Sequence, residues 1–294
     1  MYSGAGFYGI REILLAYAKL PGFLPLPVAV QHGWLRSATT FETSGNPPEI
    51  WVASQRIASE FEAFYPKDKI RIVGSFYCYL MALLKNDLPP VVRSGSICIP
   101  PHSSHFVSSE YSLENFARRL NELGDEYKPI TVMLYFLDMN NSTVDGYEKF
   151  GFKVVSNGSL FEADFSKNFV RNVYDKQHCI FSDLGSGVLF AADMGLNLVH
   201  IDIESSHVNR GEKHVTDEML SRVKLFDEDF LNFIDKEQLS LELGKPYMLS
   251  PGELRRAILH NYFTWSFVLR IVKSAAGGVL RRVGLRDRGK RLDM

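Results

Sequence analysis

The sequence predicts an α/β protein of two parallel-sheet halves followed by a basic helical tail. Three observations lead there. Apolar runs of four to seven residues, rich in Val, Ile and Phe, alternate with stretches of helical periodicity, the pattern of βα units on a parallel sheet. One segment, 86–96 (NDLPPVVRSGS), gathers Pro, Gly and Ser and divides that pattern near Arg93. A length of 294 residues suits two domains, and 46% apolar with 23% charged residues is the composition of a globular chain rather than a disordered one.

The first half, 1–93, opens on GAGFYG at 4–9. This satisfies G-x-G-x-x-G, but only three residues precede it, so no strand can feed a dinucleotide turn, and a flexible or anion-facing helix start is expected instead. Ile10, Ile13, Leu14 and Tyr17 fall on one side of a helix over 10–20. Strands are expected at 28–31, 50–53 and 70–73, with helices at 55–65, behind the cap Ser54, and at 77–85. There is almost no room for a strand before Ile10.

The second half, 94–250, repeats the rhythm. Strands are expected at 96–100, 130–136, 152–155, 178–182 and 198–203, and helices at 113–123 behind Ser112, 143–150, 163–174 and 188–194. After 203 the chain turns polar, and 216–243 is acidic and partly helical.

The third unit, 251–294, is a basic amphipathic helix and tail. Ser250 caps it, Pro251 takes the first helical position and Glu253 the third, while Leu254, Ile258, Trp265, Val268, Leu269 and Val272 form an apolar stripe. The net charge of −1 conceals an asymmetry: this unit holds ten Lys/Arg against three Asp/Glu, leaving −8 for residues 1–250. Its end, RRVGLRDRGKR, lacks the interleaved aromatics of a nucleic-acid reader, so the expected contact is an anionic membrane surface and not nucleic acid. That helix can instead pack across both halves, and the two roles are compatible. No apolar run approaches the ~20 residues of a membrane span, and the N-terminus lacks a basic start and apolar core of a secretory signal. A cytoplasmic location, peripheral on the inner face of the membrane, is the expectation. Cys78, Cys98 and Cys179 show no C-x-x-C spacing and are expected to be buried inert thiols.

Four loops carry candidate chemistry. VAVQHGW ends a strand in His32 and Gly33, at the strand end where open parallel sheets bind ligands; a histidine there can take a proton near neutral pH, or simply pack within a turn. SICIPPHSSHF presents His102, Ser103, Ser104 and His105 after a double proline, donors suited to phosphate oxygens; a polar loop without a ligand is the alternative, and a His102–His105 metal site lacks carboxylate or thiolate company. HCIFSDLGSGVLFAADMG sets Ser182, Gly185, Ser186 and Gly187 before a helix, where exposed N–H groups and the helix dipole favour phosphate, although many βα turns need glycine for shape alone. VVSNGSLFEADF offers Asn157 and Gly158 to a nucleoside, with Glu162 or Asp164 for ribose hydroxyls, or forms an ordinary turn. The HIDIE segment at 200–204 could pass for a D-x-D metal site but falls too late in the chain.

QHGW at 31–34 and SDLGSGVLFAADMG at 182–195 look like their counterparts in bacterial surface-polysaccharide and teichoic-acid-type transferases, and the two halves with phosphate-type loops in the second resemble a GT-B glycosyltransferase over about residues 10–205. The resemblance implies two Rossmann-like half-domains facing a cleft, with 1–93 on the acceptor side and 94–250 binding the nucleotide donor. It implies His32 as the base, and His102, Ser103, Ser104, His105, Ser182, Ser186 and Gly187 around the departing nucleotide, with Asn157, Gly158 and Gly185 completing the donor loops. The implied reaction is an inverting, metal-independent transfer from a nucleotide-sugar to a surface polysaccharide or lipid-linked glycan, without a cofactor. Arg93 and Lys153 are the available cations near these loops in sequence. A catalytically silent nucleotide- or glycan-binding partner of a polysaccharide assembly complex, and an epimerase of the same architecture, are the competing classes.

Overall fold

A computed structural model of the chain describes residues 4–38, 45–103, 107–209 and 235–264. The strands expected of both halves are all present, most of them one or two residues shorter. In the first half, β1 (Ala29–Val30), β2 (Ile50–Val52) and β3 (Ile70–Ile72) form a parallel sheet in the order β1-β2-β3, with Ala29 opposite Ile50 and Ile50 opposite Ile70. The helices around it are α1 (Ile10–Tyr17), α2 (Gln55–Phe61) and α3 (Phe76–Leu84). Ser54 caps α2 as expected, accepting from the Ile57 N–H. α1 stops short of Leu20 because Lys19 turns left-handed, with φ 54°, and the Leu20 N–H closes on the Leu15 carbonyl at 2.9 Å.

In the second half, β4 (Ser96–Ile99), β6 (Ile130–Leu134), β7 (Lys153–Ser156), β8 (His178–Phe181) and β9 (Asn197–His200) form a five-stranded parallel sheet in the order β7-β6-β4-β8-β9. In terms of the sheet's own strands this is 3-2-1-4-5, a Rossmann-like doubly wound order whose direction reverses between β4 and β8. Its connections are α4 (Leu113–Asn121), α5 (Asn141–Glu148), α6 (Phe165–Val173) and α7 (Ser186–Asp193). The sequence pattern missed one pair: β5 (Val107–Tyr111, VSSEY) and β10 (Ser205–Asn209, SSHVN) make an antiparallel ribbon, Ser205 opposite Tyr111. Polar strands of this kind show no apolar alternation; backbone pairing alone defines them.

Alternation along the central strands sorts side chains onto two faces. Cys98, Val132, Leu134 and Ile180 pack under α4 and α5 with Phe116, Leu120 and Tyr147, whereas Ile97, Met133, Cys179 and Phe181 point to α6 and α7. The second set merges with Val30, Trp51 and Val73 of the first sheet, through α1 and α3, into one continuous core. That shared core explains why Phe76, Tyr77, Cys78, Tyr79 and Leu80 are all buried: the first half of α3 is covered on every side. The three cysteines are buried and unpaired with one another; burial raises the thiol pKa of Cys78 and Cys179 to about 12 and pushes that of Cys98 well above its ordinary value.

Two helices close the described chain: α8 (Lys236–Glu242), capped by Asp235, and α9 (Pro251–Tyr262). The latter carries the full capping box, Ser250 with the Glu253 N–H and Glu253 with the Ser250 N–H at 2.9 Å. Its stripe packs back onto the first half: Leu254, Ala257 and Ile258 enter the shared core, and Asn261 donates to Glu49 at 2.9 Å. Trp265, Val268, Leu269, Val272 and the RRVGLRDRGKR end lie outside the described residues. Among the described residues no helix is long and apolar enough to cross a membrane.

Candidate functional site

The carboxyl ends of both sheets meet around one cavity of about 320 Å³, at the low end of the range that holds small ligands. β1 contributes Gly33, Trp34 and Arg36; β4 contributes Ile99, Pro100 and His102; β6 ends in Tyr135, β7 in Asn157, and β8 leads into Asp183, Gly185, Ser186 and Gly187. The walls are apolar and aromatic, with Phe76, Leu80, Phe165, Phe169 and Phe190 among them. The β4 and β8 loops flank the point where the strand order reverses, which is where doubly wound sheets open a crevice.

The two halves touch directly at the mouth. The Trp34 N–H donates to the Ser186 hydroxyl at 2.9 Å, and the Arg36 guanidinium donates to the Leu184 carbonyl. Gly33 has φ +124°, and a Cβ there would lie 2.6 Å from Ser186 Oγ, so this approach requires glycine. A partly buried strut holds the loop from behind. Glu242 accepts from Arg56 at 2.7 and 2.8 Å and from the Trp34 indole at 2.9 Å, while Arg56 donates to the Leu35 and Arg36 carbonyls at 2.7 Å each. Arg36 and Arg56 lie 5.6 and 5.9 Å from the Trp34 ring centre.

His32 itself does not line the cavity. Its ring stacks on Tyr8 at 6.3 Å and meets the edge of Phe7 at 5.8 Å; Tyr8, which does line the cavity, stacks in turn on Phe76 at 6.4 Å. Tyr8 belongs to the GAGFYG segment, and here the expected flexible or anion-facing start is corrected. Gly4 and Ala5 are buried, a Cβ at Gly4 would overlap the Val30 carbonyl, and the Tyr8 N–H donates to the Leu160 carbonyl at 2.6 Å. The segment is a packed bridge between the halves, with Tyr8 held at φ 58°, and burial raises its phenol pKa to about 12. Burial likewise raises that of Tyr135, so both hydroxyls keep their protons at neutral pH.

The remaining donor candidates separate. His102, Asn157, Gly185, Ser186 and Gly187 line the cavity; Ser103, Gly158 and Ser182 do not, and Ser104 and His105 lie outside the described residues. Ser103 serves its own loop, donating its N–H to Asp138 at 3.1 Å and accepting from the Ser109 N–H at 3.2 Å. The Ser182 carbonyl accepts from His200 Nε2 at 2.9 Å. Gly187 packs against Phe169 and Ile99, so its smallness serves the helix–strand contact. Asn157 accepts from Asn172 at 3.1 Å. Glu162 accepts from the Ser159 N–H and Asp164 pairs with Lys167 at 2.9 Å, which leaves neither carboxylate in the cavity.

Of the cations suggested by sequence, Arg93 donates to the Met194 carbonyl at 2.6 Å, at the far end of α7, and Lys153 starts β7, at the opposite edge of the sheet. Among the described residues the cation that lines the cavity is Arg36, two residues beyond the QHGW motif and remote in the chain from the phosphate-type loops, so that no local pattern marks it. The Asp202 carbonyl accepts from Arg119, and no cluster of three or more metal-ligating side chains occurs among the described residues.

No protein-family model matches the chain, and no curated protein matches it. Among solved structures it is similar to a UDP-GlcNAc 2-epimerase from Neisseria meningitidis bound to UDP-GlcNAc, at 13% identity over 74% of this chain and 62% of that one, with a TM-score of 0.38. It is similar also to S. aureus MnaA in a co-structure with UDP, at 13% identity over 74% of this chain and 60% of that one, with a TM-score of 0.39. The chain therefore spans about three fifths of the length of these two structures. Likeness this loose carries no argument about function; the fold class, two parallel α/β units facing one cavity, rests on the sheets and their strand order.

Proposed function

We propose that the chain is a nucleotide-sugar-dependent glycosyltransferase, metal-independent and inverting, that moves a sugar to a surface polysaccharide or lipid-linked glycan. The single observation that carries this reading is the convergence of Arg36, Ser186 and the start of α7 on one cavity at the carboxyl ends of both sheets. A guanidinium, a hydroxyl and helix amides without a side-chain cap are the donors that a departing diphosphate needs, set among apolar and aromatic walls. The Ser186 oxygen already accepts from Trp34, and its proton remains to be given to a phosphate oxygen. The aromatic walls suit a nucleobase, and Asp183 can accept from ribose or sugar hydroxyls. In the transfer, the bond between the anomeric carbon and the phosphate oxygen breaks as the acceptor oxygen bonds to that carbon, and the acceptor proton passes to His32, whose ring packs on the cavity-lining Tyr8. The tail rests on the anionic inner face of the membrane, where a lipid-linked acceptor resides.

A second reading, a non-catalytic nucleotide- or glycan-binding partner, is favoured by the position of His32 behind Tyr8. Thermal-shift measurements with CMP, CDP, UDP and GDP separate the two when combined with donor turnover. Stabilisation by one nucleoside diphosphate together with donor hydrolysis, and a loss of turnover of ~10²- to 10⁴-fold in His32→Ala with donor binding kept, is the transferase outcome. Stabilisation by oligosaccharide alone, with no turnover, is the binder outcome. Interconversion of the nucleotide-sugar with no acceptor present identifies an epimerase.

A further inference from the structure

We propose that the outward face of α9, together with the tip of the loop after α1, docks on an anionic lipid bilayer. The proposal deepens the membrane contact in the reading above, which named only the tail, and rests on it. α9 is two-sided: Leu254, Ala257, Ile258 and Asn261 are buried, whereas Arg255, Arg256, Leu259 and His260 face solvent, and the helix ends on Phe263 at 85% exposure. On the neighbouring loop Phe23 is 82% exposed. The Tyr262 hydroxyl donates to the Pro25 carbonyl, which joins the two segments one residue from Phe263 and two residues from Phe23.

Two large apolar rings exposed to water near the join of these two segments are surface that an apolar layer would cover favourably. The company they keep says which. Arg255, Arg256 and Lys19 are exposed nearby in the chain, and residues 265–294, which continue directly from this edge, carry eight Lys/Arg against two Asp/Glu. A bilayer with anionic headgroups offers both halves of the match, an apolar layer for the rings and a plane of phosphates for the cations. Single-stranded nucleic acid is the competing occupant.

The test is co-sedimentation of the full-length protein with vesicles of phosphatidylcholine alone or with about a third phosphatidylglycerol, an anionic fraction that attracts clustered basic residues. Binding to the anionic vesicles only is expected, weakened at least ~tenfold by Phe23→Ser with Phe263→Ser, since each ring buries apolar area on insertion. Both positions are exposed, so the circular dichroism spectrum and Tm should stay at wild-type values. Wild-type binding by the double variant overturns this docking surface while leaving the tail contact standing. Failure of the wild-type protein to sediment with either vesicle, including the case in which it binds oligouridylate instead, overturns both.

Discussion

The amide of Trp34 and the hydroxyl of Ser186, 152 residues apart in the chain, meet at 2.9 Å and join the loop after β1 to the first turn of α7. Through this bond the two sheets share one mouth over the cavity. A ligand phosphate held at the α7 start would therefore touch both halves at once, and the loop between Gly33 and Arg36 becomes the place to probe.

Gly33→Ala should destabilise the fold by about 1–3 kcal/mol, because its φ of +124° disfavours any side chain and the new Cβ meets Ser186 Oγ. In a Ser186→Ala background the steric part disappears and the conformational part stays. Urea denaturation of the two single variants and the double variant should give a coupling above ~0.5 kcal/mol; simple additivity would mean that the two residues do not meet.

Arg36→Ala should lower affinity for the preferred nucleoside diphosphate about 10- to 100-fold, the worth of one charged hydrogen bond to phosphate, and leave affinity for the bare nucleoside unchanged. Isothermal titration with both ligands checks this. Equal losses for nucleoside and nucleotide would assign Arg36 a structural role through Leu184 instead.

Glu242→Ala should cost about 2–4 kcal/mol in urea denaturation. It takes the carboxylate from both the Arg56 guanidinium and the Trp34 indole, at less than the full cost of a broken buried pair because Arg56 keeps Glu60 at 3.1 Å and 28% of its side chain meets water. A shift in the urea midpoint with an unchanged slope is the signature; a wild-type midpoint would show that the strut contributes nothing.

Acid should weaken the join between α9 and the first sheet through Glu49. Burial by itself would raise this carboxyl, but hydrogen bonds from Arg71, Trp51 and Asn261 outweigh it and hold the pKa below its ordinary 4.5. The folded state therefore binds the proton less readily than the unfolded chain. Its contribution is present above about pH 4.5 and is lost as pH falls through the folded value. Glu49→Gln should be less stable at pH 7 and show a flatter decline in Tm between about pH 5 and 3; an unchanged slope would assign the acid sensitivity elsewhere.

Much of the architecture was legible in local pattern. Short β-branched runs such as ITVML at 130–134 announce strands because each must be apolar on both faces, and the SPGE start of α9 announces a helix because cap, proline and N3 carboxylate act within one turn. The VSSEY and SSHVN ribbon was not legible, since its partners lie nearly a hundred residues apart and backbone pairing leaves no side-chain signature. The candidate site divided in the same way. Ser186, His102 and Asn157 were found from strand-end position, a local property, whereas Arg36 and Tyr8 line the cavity only because distant segments bring them there.

What the sequence by itself determined was the succession of βα units, the capped C-terminal helix and the charge asymmetry of the tail, all set by interactions within a few residues. Only the tertiary structure decided the strand order β7-β6-β4-β8-β9, the single core shared by the two sheets, and the exchange of His32 for Tyr8 and Arg36 at the cavity wall. The physical reason is range. Periodicity and capping act over one turn or one strand, while the burial of apolar faces and the satisfaction of Glu242 and Ser186 are settled between segments that the chain alone does not place side by side.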